Sequence, residues 1–89
     1  MVKMDKVNAR DIIGLNVVSK SGKRFGVVGD LVFEARTGEI INIILKNPTV
    51  AAKELDLEKD DKGNLLIPYN SVIAIEDLVI IAEEDIIWR

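Results

Sequence analysis

The feature that most narrows what this chain can fold into is the shortness of its apolar runs. Ile, Val and Leu come in brief stretches, each closed within several residues by Gly, Pro, Asn or Asp. No stretch sustains the three-and-four spacing of a core helix, whereas short β-branched runs between turn residues are the mark of strands. Leu15 to Lys20 reads as a first strand, Ser21-Gly22 as a turn, and Phe25 to Glu34 as the hairpin partner. Gly26, Gly29 and Asp30 interrupt that partner and predict a bulge or sharp bend. Arg36-Thr37-Gly38 makes the next turn, where Gly38 is free to take a positive φ. A third strand follows from Glu39 to Lys46, with Ile41, Ile43 and Leu45 on one face and Ile40 and Ile44 on the other.

Asn47-Pro48 stops this strand, and Val50 to Leu57 is long enough for about two helical turns. Strand character returns at Leu65 to Tyr69, where Pro68 implies a position whose backbone N–H no neighbour needs. Val72 to Ile75 and Leu78 to Ala82 flank the polar turn Glu76-Asp77, and Asn8 is placed to cap a short turn that Gly14 ends. The expectation is an all-β fold: a small barrel of about five to seven short strands with at most short helical turns, in one domain over residues 1–89.

The chemistry open to such a barrel is narrow. The chain has no histidine and no cysteine, which removes the commonest general base near neutral pH, the thiol nucleophile and the usual nitrogen and sulfur metal ligands. No catalytic residue, cofactor or metal is expected. The formal charge of −3 argues against a long basic track for nucleic acid. Lys3, Asp5, Lys6 and Arg10 break up the N-terminus, unlike a signal peptide, and runs such as Leu78 to Ala82 fall far short of the roughly 20 residues of a membrane span. A soluble cytoplasmic protein without a transmembrane segment is expected.

The order and spacing of Gly14, then Gly22, Gly26, Val28 and Asp30, then Thr37-Gly38 and Ile40, then Ile67-Pro68-Tyr69 and Val72, spans nearly the whole chain. It resembles the PRC-barrel family, named for the photosynthetic reaction-centre H subunit and found also in a bacterial ribosome maturation factor. Glu76 departs from the pattern, which often has glycine near that place. The resemblance implies a small barrel with no catalytic set, acting as an adaptor toward protein or nucleoprotein partners. Stand-alone members of this length are similar to archaeal proteins, some of them in the cell-division machinery.

Three surfaces are candidates for work. Ile86, Ile87 and Trp88 put large apolar side chains at the end of the sequence, where they form either a last strand on their own barrel or an interface with a second copy or another protein. A homodimer is the expectation, with an unidentified protein partner. Lys20, Lys23 and Arg24 cluster at the first hairpin turn and are the residues an alternative, RNA-associated role in ribosome maturation or RNA processing would use. The acidic stretch 54–61 holds Asp56, Glu58 and Asp60, but Asp61 stands where a calcium loop starting at Asp56 needs glycine, and Lys59 and Lys62 offset the charge. Gly22, Gly26 and Gly29 lack phosphate-loop spacing and read, with Asp30, Gly38 and Pro68, as structural turns.

Overall fold

The computed structural model describes residues 9–87. The cap expected at Asn8, the Ile87 side chain and Trp88 lie outside the described residues. In chain order the elements are α1 (Ala9–Ile12), β1 (Asn16–Ser19), β2 (Arg24–Phe33), β3 (Ile40–Lys46), α2 (Val50–Glu54), β4 (Glu58–Lys59) and β5 (Leu65–Pro68). A 3-10 turn (Tyr69–Ser71), β6 (Val72–Ile75), β7 (Val79–Ile81) and α3 (Glu83–Ile87) complete the described chain.

The strands form one sheet in the order β4-β5-β3-β2-β1-β7-β6, antiparallel throughout except for the parallel β1–β7 pair. Covalent reach forces this sheet to curl. β5 and β6 stand five strand steps apart in the order, about 24 Å if the sheet were flat. Yet only Tyr69–Ser71 separates Pro68 from Val72, a link that spans at most about 14 Å. The sheet's two ends must therefore approach each other, which is the barrel.

The inward positions fill its interior. Phe25, Ile12, Ile43, Ile67, Ile81, Val17, Val28 and Val79 are fully buried and belong to one cluster. Each such side chain contributes about 1.5–3 kcal/mol relative to exposure. β2 curves by irregularity: its register against β3 shifts between Val28 and Asp30, with Gly29 as the extra residue. A Cβ there would lie 2.9 Å from the Lys46 Cβ. Gly26 adopts φ 149° directly beneath the carbonyls of Lys46 and Asn47.

Two local departures from the sequence reading have simple causes. The helix over 50–57 stops at Glu54, with Thr49 capping it by accepting the Ala52 N–H and Leu55 already extended. Residues 83–87 wind into a helical turn where a last strand was one of the alternatives. Glu83, Glu84 and Asp85 favour a helix start, where backbone N–H groups are exposed.

Candidate interaction surface

The barrel displays two large apolar side chains at one end of the β2–β3 ladder, where the register shifts. Leu31 is buried, and Phe33, two residues on and on the same face, is 47% exposed. Ile43 is buried likewise, and Ile41 is 43% exposed. Phe33 pairs with Ile40 across a register shift that leaves Ile41 beside it, so the two exposed side chains share one end of the β2–β3 ladder. Pro68 is the register partner of Asn42, and the 3-10 turn that follows it packs on β3, bringing Tyr69 to the same rim. Burial pushes the Tyr69 phenol pKa up.

The turn behind this rim is stapled. The Glu34 carboxylate accepts the N–H groups of Arg36 (2.8 Å) and Thr37 (3.1 Å), Gly38 donates to the Glu34 carbonyl, and Glu34 donates to the Glu39 carbonyl. A rigid display loses less side-chain and loop freedom on binding. On the outer face, Val32, Ile44 and the directly opposed Leu66 are partly exposed and outside the core cluster, extending the apolar surface around the barrel wall.

The first hairpin is differently disposed. Buried Ser19 organises its turn, its hydroxyl oxygen accepting the N–H groups of Ser21 and Lys23. The signal for this was a serine followed within four residues by Gly22, a pattern in which hydroxyls commonly close turns. The hairpin cations are engaged: Lys20 Nζ lies 2.6 Å from Glu84 Oε2, Lys23 Nζ 3.5 Å from Glu83 Oε2, and Arg24 Nη2 donates to Asn16 Oδ1 at 2.9 Å. The hydrogen bond with Glu84 raises the Lys20 pKa, and the same bond, with the Glu84 backbone N–H adding to it, lowers that of Glu84. These pairs are exposed, so they set local geometry more than stability.

Ile86, one of the three residues expected to make an interface at the end of the sequence, is 3% exposed and sits in the core cluster. The helical turn of α3 directs it inward. It covers its own barrel, and is therefore not a free surface anchor.

The acidic stretch is engaged by its own hairpin. The Asp60 carboxylate accepts the N–H groups of Asn64 (2.8 Å) and Lys62 (3.0 Å) and the Asn64 side-chain amide (3.2 Å), chiefly the first of which lowers its pKa. Among the described residues no group of three or more His, Cys, Asp or Glu is arranged to hold a metal ion. An open cleft of about 410 Å³ adjoins this loop, edged by charges of both signs, Lys46 and Lys62 against Asp30 and Asp61. Because the folded pKa of Asp60 lies below its unfolded value, its stabilisation of the hairpin is present above the ordinary carboxylate pKa and lost as pH falls through the lowered one. Amide exchange at Lys62 and Asn64 should therefore be protected at neutral pH and lose protection on acidification. Asp60→Ala should show that loss at every pH; an unchanged exchange pattern would remove the carboxylate from the loop's support.

Among the described residues no helix is long and apolar enough to cross a membrane. The PRC-barrel domain family model matches residues 4–85. An uncharacterized protein of the archaeon Methanocaldococcus jannaschii is similar, 28% identical over 83 residues that cover 93% of this chain and 89% of the relative.

Proposed function

The chain belongs to the PRC-barrel domain family, and on that premise we propose that it is a non-catalytic binding module, a homodimeric cytoplasmic adaptor that holds protein partners together through apolar surface. The observation that carries this reading is Phe33 beside Ile41, two large apolar side chains left half exposed on a stapled rim. Large exposed apolar groups grouped on a rigid edge are what a protein partner buries. The resemblance to division-associated members is what supports a setting in cell division, and the archaeal relative supports the archaeal part alone. The competing role, assembly with ribosomal RNA, calls on Lys20, Lys23 and Arg24, and these hold Glu84, Glu83 and Asn16.

The test is affinity capture from native lysate with the wild-type chain and a Phe33→Asp, Ile41→Asp variant. The wild type should retain a protein partner, and the variant should lose it at least tenfold, since each apolar contact contributes about 1.5 kcal/mol or more. Salt-sensitive retention of ribosomal RNA, or equal capture by the variant, would overturn the reading. Light scattering of the wild type should give twice the 9.9 kDa of one chain.

A further inference from the structure

β2 outruns the strand beside it, and the difference leaves a strand edge open. β1 pairs with β2 from Arg24 to Val27, and two further bonds carry the ladder to Val28, whose carbonyl accepts the Gly14 N–H and whose N–H donates to the Leu15 carbonyl. At Gly14, with φ 96°, the backbone turns away into α1. β2 runs on to Phe33 with β3 on one side and, among the described residues, no strand on the other.

Two bonds fix where the backbone of this stretch points. Glu34 donates to the Glu39 carbonyl and so faces β3; by alternation Val32 faces β3 as well, while Leu31 and Phe33 face the open side. The Leu31 N–H agrees, donating at 2.8 Å not to a strand but to the Asp30 carboxylate next to it in the chain. Phe33 has no such cap, and its N–H has no partner among the described residues. Edges are commonly blunted by proline, by charge or by a cover. Leu31-Val32-Phe33 itself holds neither proline nor charge, and the half-exposed side chains of Ile13, next to Gly14, and of Phe33 stand toward its two ends.

We propose that the Leu31–Phe33 edge of β2 takes up an extended segment of a partner protein as an added strand in line with β1, the segment being apolar and flanked by lysine or arginine. This rests on the reading that Phe33 and Ile41 meet a protein partner, and names that partner's conformation. Backbone donors and acceptors left open along an edge are matched by another strand, whose main chain supplies the bonds while alternate side chains reach the apolar groups beside it. The flanks follow from charge. Between residues 30 and 39 three carboxylates, Asp30, Glu34 and Glu39, stand against one cation, Arg36. A second copy would bring the same carboxylates to the same place, so the occupant is a different chain.

The probe is a capped peptide, Lys-Val-Thr-Val-Thr-Lys, titrated into the isotope-labelled full chain and followed by nuclear magnetic resonance. Amide exchange at Phe33 should be fast in the free chain and at least tenfold slower at saturation, while Val32, which faces β3, should be slow throughout. Only alternate amides of an added strand face β2, so N-methylation of the two valines and N-methylation of the two threonines should weaken binding unequally, by at least tenfold. Replacing both lysines by glutamate should also weaken it by at least tenfold. No binding at millimolar peptide, or equal binding of the two methylated peptides, would overturn strand addition. So would a Phe33 amide already slow in the free chain, which closes the edge, or one whose protection rises with chain concentration, which gives the edge to a second copy. The Phe33→Asp, Ile41→Asp variant keeps two failures apart. Methylated peptides that bind the wild type alike and are both lost from the variant remove the strand and keep the apolar rim; unequal binding with no partner captured from lysate keeps the strand site and removes the adaptor.

Discussion

Gly26→Ala should lower the free energy of unfolding by about 2–5 kcal/mol. Gly26 sits at φ 149°, a conformation L side chains rarely adopt, and the strain of a side chain there is of order 1–2 kcal/mol. A second cost comes from the neighbours. The new Cβ would lie 3.0 Å from the Lys46 carbonyl oxygen and 3.2 Å from that of Asn47, both backbone atoms that cannot rotate away. Forcing atoms into filled space adds about 1–3 kcal/mol. Gly22→Ala separates the two costs, because Gly22 also has a positive φ, 95°, but a Cβ added there would meet no atom within 4 Å. Denaturant melts should show Gly22→Ala losing only the conformational part. Equal losses at the two sites would mean that the approach of β3 to β2 contributes nothing.

The scale of the chain makes this a severe change. A domain of 89 residues has about 4–13 kcal/mol of stability in total. Each kcal/mol lost moves the melting temperature by about 4–8 °C.

Ile86→Ala should cost about 2–5 kcal/mol, the range for truncating a buried isoleucine. Neutralising Glu83 and Glu84 together should cost far less, because their ion pairs are exposed to solvent. The contrast assigns the anchoring of α3 to its one buried side chain and its orientation to the two carboxylates. Chemical denaturation of the two variants side by side checks it. A loss under about 1 kcal/mol for Ile86→Ala, well below the range for a buried isoleucine, would show that α3 is not part of the cooperative core.

The strand spans were legible because their causes are local. Val17, Phe25, Ile43, Ile67 and Ile81 lie in short β-branched or aromatic runs bounded by turn residues, and each became a buried core position in a strand. The Ser21-Gly22 and Thr37-Gly38 turns lie where glycine's freedom at positive φ pointed, with Gly22 at 95° and Gly38 at 77°. Less legible was the last segment. Residues 83–87 carry both three carboxylates suited to a helix start and apolar residues suited to a strand, and local propensity alone does not choose between them. The socket beneath Ile86 does.

The rim was not visible in the sequence at all. Ile41 reads there as one more inward residue of a strand, equal to Ile43 and Leu45. Its exposure goes with a register shift in which Phe33 pairs with Ile40 and Ile41 is the extra residue, while Ile40 packs on the core, and that pairing depends on two strands and not on Ile41's own neighbours. The same is true of the hairpin cations: Lys23 and Glu83 are 60 positions apart, and only folding brings their charged atoms to 3.5 Å.

By itself, then, the order of residues determined that the chain makes a small all-β barrel, because strand runs, turns and glycines act through neighbours in sequence. Only the tertiary structure decided which surfaces are free to work. The register shift at the end of the β2–β3 ladder left Phe33 and Ile41 exposed, the helical turn of α3 put Ile86 into the core, and its carboxylates came to rest on the basic hairpin, and each of these depends on contacts between residues the sequence holds apart.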